Sequence, residues 1–175
     1  AITSWTGNAD DGSAQVSLPF NWFFYGATYS NLYIGTNGYL SFGAASTAYQ
    51  AVAIPAATAP NNYIALCWSD LNPGSAGTIS YGTVGTAPNR VFVVDFNGVA
   101  FYNASGSIAT GQVCLFEDGH VEIHATTLDP GTSTAASVMG IENATGSSGT
   151  PVTGRNGGTW SVTAPEAWSF IPAYP

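Results

Sequence analysis

Polar and apolar side chains alternate through the segment EDGHVEIH, residues 117–124, which holds the chain's best chemical candidates. Asp118-Gly119 is a dipeptide that closes a two-residue β-hairpin. A turn there pairs Glu117 with His120, Leu115 with Glu122 and Val113 with His124. Cys114, Phe116, Val121 and Ile123 then face a core, while Glu117, His120, Glu122 and His124 gather on the outward face. Imidazoles and carboxylates alternating on a strand can present themselves to a transition metal such as zinc or nickel. The same pattern also describes a solvated strand face carrying cross-strand Glu–His pairs worth a few tenths of a kcal/mol, and that is the commoner case.

Two loops hold oxygen ligands of a different kind. Asn8, Asp10 and Asp11 share one Gly-flanked loop, and Asp70 and Asn72 share another. Hard cations such as calcium take six to eight oxygens, often from Asx-rich loops of this sort. Neither loop has the full ligand series of an EF-hand or a calcium nonapeptide, and Asx side chains also cap their own backbone turns. Cys67 and Cys114 both fall in expected strands. They are either a disulfide, which an extracellular setting allows, or two buried thiols acting as small hydrophobes. Neither has a His, Lys or Arg nearby in sequence to activate it.

No catalytic constellation emerges. There is no G-x-S-x-G elbow, and both His sit on a strand face away from any Ser and Asp partners. Ten acids, several of them in turns, leave few carboxylate pairs for glycoside hydrolysis. No organic cofactor is indicated.

The elements that must position these groups are strands. The chain has 21 Gly, 10 Pro, 5 Trp, 9 Tyr and 9 Phe, and almost no helical periodicity, which predicts many short strands joined by turns. The stretch LPFNWFFYGATYSNLYIGTNGYLSFG centres on Asn37-Gly38. A two-residue turn there pairs Thr36 with Tyr39, Ile34 with Ser41 and Tyr33 with Phe42, and puts Tyr33, Leu40 and Phe42 on one face. Strands are expected at 14–18, 63–68, 78–84, 90–96, 99–102, 111–117, 120–127, 136–142, 160–163 and 168–171. Residues 44–62, rich in Ala and punctuated by Pro, read as an excursion over the surface. In 90–96, apolar residues on both faces mark a central strand covered on both sides. The expectation is one domain, residues 1–175, folded as an antiparallel, jelly-roll-like β-sandwich of about ten strands. No internal repeat is visible.

Charge narrows the partners. Lys and Arg together number two, both Arg, and the formal net charge is −8. Nothing here can neutralise phosphates or anionic lipid, which excludes nucleic acid and acidic membrane surfaces. No apolar run approaches the ~20 residues of a membrane span. A surface with so few charges is covered by hydroxyls and amides, and either stays soluble that way or packs against other copies in a fibre or array. The chain begins at Ala1, so a removed leader, a removed initiator Met or an excerpt from a longer chain is expected.

Several segments, in order, carry a resemblance: LPF with its aromatic-Tyr-Gly step and TNG…SFG, then YIALCWSDL, GTISYGTVGTAPNRVFVVDF, QVCLFEDG, GIENATGSSG, GRN and WSFIP. Together they resemble a repeat-type domain of Bacteroidota surface and secreted proteins, adhesins and gliding-associated chains among them, loosely related to nidogen-like domains. The resemblance implies a fold and a setting, not a reaction. The expected function is therefore a non-catalytic extracellular or cell-surface domain for structure or adhesion. It is expected to associate with itself or with neighbouring domains, with the apolar segments 1–6 and 168–175 as docking strands. Two alternatives stand beside it: a carbohydrate-binding module using exposed aromatics, and a virion coat or decoration protein.

Overall fold

The computed structural model describes residues 1–172. It is an antiparallel β-sandwich with no helix among the described residues. The first sheet starts from β1 (Thr6–Gly7) and the long β2 (Gly12–Phe24). Along β2, Val16, Leu18, Phe20, Trp22 and Phe24 are buried and their neighbours face outward, the period-2 signature of a half-buried strand. Next come β3 (Ala27–Gly35), β4 (Tyr39–Ser41) and β5 (Tyr63–Trp68). The second sheet follows with β6 (Leu71–Asn72), β7 (Thr78–Val84), β8 (Val91–Phe101), β9 (Ile108–Phe116) and β10 (Val121–Asp129). The chain then returns to the first sheet with β11 (Val138–Glu142) and β12 (Gly149–Asn156), and β13 (Glu166–Phe170) closes the second. The first sheet is ordered β1-β2-β3-β4-β5-β11-β12. The second runs β13-β10-β9-β8, with β6 and β7 both beside β8.

The two inner faces share one continuous apolar core. Trp22, Leu32, Ile34, Leu40 and Leu66 from one sheet meet Phe92, Val94, Phe96, Val113, Leu115 and Ile123 from the other. Both arginines tie sheet to sheet. Arg90 forks onto Glu117 (Nη2–Oε1 2.6 Å, Nε–Oε2 2.8 Å), donates through Nη1 to the Pro19 carbonyl and lies over the Phe20 ring. Arg155 on β12 reaches Glu166 on β13 at 3.2 Å and lies over Trp160. The protein's side-chain cations are thereby both engaged in ion pairs.

Both expected hairpins slip by one residue. Tyr33 pairs with Ser41 and Ile34 with Leu40, so Thr36-Asn37-Gly38 is a three-residue loop. Only Gly38 takes a positive φ, +81°. Leu40 and Phe42 enter the core, whereas Tyr33 falls on the other face and is half-buried. In the same way Val121 pairs with Leu115 and Glu122 with Cys114, leaving Glu117-Asp118-Gly119 as the loop. Three-residue loops ending in a left-handed Gly are the next commonest hairpin connection. In both cases the tip side chains are drawn to distant partners, which fixes the longer loop.

Other expectations are adjusted. The two strands expected at 90–96 and 99–102 are one strand, β8, interrupted by a bulge at Asn97-Gly98. Its outer face is not fully covered, since Val91 and Val93 are only half-buried. Residues 160–163 form a single bridge, Leu128 to Val162, and β12 forms from a segment that has no aromatic residue and is interrupted by Gly and Pro. Residues 44–62 do cross the surface, but as a cover. They lie on the outer face of β5 and seal a second core of Tyr39, Ile54, Tyr63, Ala65, Trp68 and Val138. Trp68 Nε1 donates to the Ala48 carbonyl, Tyr39 Oη donates to Ser46 Oγ, and Asn156 exchanges two bonds with the Ile54 backbone.

Candidate metal centre and open sheet edges

The tip of the β3–β4 hairpin is buried, with Asn37 only 1% exposed. Buried amides and hydroxyls must find partners, and these find them in the two Asx-rich loops. Asn37 Nδ2 donates to Asp11 Oδ1 at 2.9 Å, its Oδ1 accepts from the Leu71 N–H at 2.8 Å, and its carbonyl accepts from the Ser69 N–H. Thr36 Oγ1 accepts from the Gly12 N–H and donates to the Asp10 carbonyl at 2.5 Å. Asn8 Oδ1 takes the N–H groups of both Asp10 and Asp11 at 2.8 Å, which folds that loop into an Asx turn.

This knot places Asp70 beside Asp10 and Asp11. One carboxylate oxygen from each of the three lies within 4.8 Å of the others, the one such group of three ligand side chains among the described residues. The crowding is visible in their acidity. Burial, and then the charges of Asp10 and Asp11, push the Asp70 carboxyl up to about 6. Burial and Asp11 raise Asp10 as well. Asp10 Oδ1 is sealed from solvent and has no hydrogen-bond partner. Three mutually repelling carboxylates, one with an unsatisfied oxygen, suit a hard, oxygen-loving cation. Asn72 is not part of the group: its Oδ1 accepts from the Ser75 N–H at 3.1 Å and caps its own loop.

The Glu–His face has a different arrangement. Glu117 leaves it for Arg90, which holds the Glu117 carboxyl down at about 2. His120 stacks on Phe116 at 3.8 Å and bonds Asp118 through Nδ1 at 2.6 Å. His124 Nε2 meets Glu122 Oε2 at 2.7 Å. The donor atoms of His120, Glu122 and His124 do not close to within 4.8 Å of one another as the aspartates do. Cys114 and Phe116 lie on this outer face with them, a consequence of the one-residue slip, although Cys114 is buried. The disulfide between Cys67 and Cys114 is not formed. Both thiols are free, Cys67 on β5 of one sheet and Cys114 on β9 of the other, and burial pushes them up to about 12 and about 11.

The terminal segments pair within the chain. The Ile2 N–H bonds the Ile79 carbonyl, Thr6 and Gly7 form β1, and Trp168 sits in β13 against Ile123. Residues 173–175 of the expected docking strand lie outside the described residues. The edges that remain open differ in how they are guarded. β1 has two residues, β12 contains Pro151 and Arg155, and β13 contains Glu166. Short length, Pro and charge are the usual defences of an edge. β7, TISYGTV, has seven residues and none of these defences. Past Ile79, whose carbonyl Ile2 occupies, no strand among the described residues lies on its outer side, and Tyr81 and Val84 are 49% and 58% exposed.

The sequence profile described as NIDO related matches residues 1–171. The chain belongs to the NIDO-related family. This is an extracellular, nidogen-like family, and the nidogen-like part of the resemblance is thereby shown. The NIDO-related chain is also similar to alpha-tectorin of Mus musculus, 29% identical over 138 residues, and to alpha-tectorin of Homo sapiens, 28% identical over 138 residues. Each alignment covers 65% of this chain and 6% of the tectorin, so the chain spans a small fraction of those relatives. No solved structure matches it. Nothing in these comparisons supports a virion coat role.

Proposed function

We propose that this NIDO-related domain is a non-catalytic structural or adhesive module of the extracellular space that associates edge to edge through β7. The observation that carries the reading is the unguarded β7 edge on a domain with no Lys and both Arg engaged in ion pairs. A second copy laid antiparallel along Ser80–Val84, past the Ile79 carbonyl that Ile2 occupies, would continue the second sheet across a two-fold axis. Main-chain bonds would supply the affinity, and Tyr81 and Val84 the apolar contact. Family membership and the similarity to alpha-tectorin support the extracellular structural setting. A Bacteroidota surface is the setting implied by the resemblance in the sequence segments. Sedimentation of the wild type against Val84→Lys tests the edge, because a lysine there supplies the missing guard.

A second reading concerns calcium. Asp10, Asp11 and Asp70 would hold the ion at the junction of the β1–β2 and β5–β6 loops, the orphaned Asp10 Oδ1 being the observation that favours it. Such an ion would relieve the carboxylate repulsion and stiffen the loops around Asn37. Calcium at concentrations on the order of millimolar should raise the melting temperature of the wild type and leave Asp70→Asn unmoved. An equal response of both proteins, or none from either, contradicts it.

A further inference from the structure

At the end of the sandwich away from the aspartates, the β2–β3 hairpin curls over the mouth between the sheets and leaves a cleft of about 670 Å³. Phe23, Tyr25 and Phe170 give it aromatic walls, and Ser148, Thr150 and Ser169 give it hydroxyls. None of its lining residues is charged. The volume falls within the range of small-ligand sites, roughly 300–1,000 Å³. Tyr25 is unusual. With Gly26 it forms the two-residue turn of the hairpin, and it holds φ +45°, a region that bulky residues rarely enter. Gly or Asn would serve that turn without strain. The ring stands edge-on to Phe24 at 4.8 Å, lines the cleft together with Thr150, and is still 42% exposed. Phe23 beside it is 47% exposed. A strained residue that presents an aromatic ring at the rim of a cleft points to a binding role for that ring.

We propose that this cleft binds a neutral glycan, with sugar rings stacked on Phe23 and Tyr25. Sugars offer apolar C–H faces to aromatic rings and hydroxyls to Ser, Thr and Tyr, which is the chemistry this lining displays. Electrostatics selects the neutral class. The protein carries a net charge of −8 and both Arg are held in ion pairs, so sulfated or sialylated chains are repelled. The adjoining hollow, which shares Ser169 with the cleft, brings Asp118 and His120 to the same side, and a carboxylate there accepts sugar hydroxyls while adding to that repulsion. The β7 edge plays no part in this site.

Titration calorimetry with cellotriose, mannotriose and triacetylchitotriose, and with a sulfated heparin disaccharide as the charged comparator, tests the proposal. At least one neutral trisaccharide should bind with a Kd of about 1 mM or tighter. Tyr25→Gly should weaken that binding about tenfold or more, and Phe23→Ala should weaken it too. Because glycine relieves the left-handed turn, Tyr25→Gly should melt no lower than the wild type, which separates lost binding from lost folding. Any of four results overturns the proposal: no binding by any neutral trisaccharide, equal binding by both variants, preference for the sulfated sugar, or a Tyr25→Gly variant whose only change is loss of self-association.

Discussion

Gly38 shows how one residue supports the whole knot. Its φ is +81°, and a Cβ added there would strike the Cys67 carbonyl, which the bulge at Leu66-Cys67 brings up against it. Conformational strain and steric collision therefore add, and Gly38→Ala is expected to cost about 2–4 kcal/mol in chemical denaturation. A loss below half a kcal/mol would contradict the assignment. Asp70 makes a prediction about pH. Its pKa in the fold, about 6, lies above the 3.8 of an ordinary aspartate, so its contribution favours the fold fully below about pH 4 and is lost as pH rises through 6. Because the group is partly open to solvent, that loss is at most about 1–2 kcal/mol. Glu117 has the opposite sign. Arg90 lowers it from 4.5 to about 2, so its contribution is present above pH 4.5 and lost as pH falls toward 2. Stability without calcium should therefore peak between about pH 4 and 5. Asp70→Asn should flatten the side above the peak. A wild type that grows steadily more stable from pH 4 to 7 would contradict this.

At the scale of elements, the sequence displays its strands more clearly than their register. The alternation in β2 and the aromatic ribbon of β3 and β4 are legible because one face of each is buried. The single-residue slip at both hairpins is not legible, since it depends on partners far along the chain: Asn37 on Asp11 and Leu71, and Glu117 on Arg90. The aspartate cluster is half legible for the same reason. Two Asx-rich loops stand out by composition, but only the buried amide of Asn37 joins residues 10 and 70. Tyr25 gives a faint signal, as a bulky aromatic before Gly in a turn position. The cover formed by residues 44–62 has no periodicity and is recognised only from the aromatic residues beneath it. Trp68→Ala should remove its anchor at Ala48, cost about 3–5 kcal/mol and open residues 44–62 to limited proteolysis. A variant as resistant to proteolysis as the wild type would show that the cover is held elsewhere.

At the scale of the whole molecule, the sandwich spends its few charges on itself. Arg90, paired with Glu117 beside the second sheet, reaches the Pro19 carbonyl of the first, Arg155–Glu166 joins the two sheets directly, and the acids left over give the surface one sign. Three of the sheet edges are short, proline-bearing or charged, and β7 is none of these. An edge left open from Ser80 to Val84, with exposed Tyr81 and Val84, on a member of an extracellular family is the structural basis for reading it as an assembling module. The most direct test is sedimentation velocity over a wide concentration range, on the wild type and on Val84→Lys, with and without calcium. A concentration-dependent dimer or larger species is expected for the wild type and a monomer for Val84→Lys, with unchanged melting temperatures. A wild type that stays monomeric at the highest concentration reached, or a Val84→Lys variant that associates as the wild type does, would contradict it.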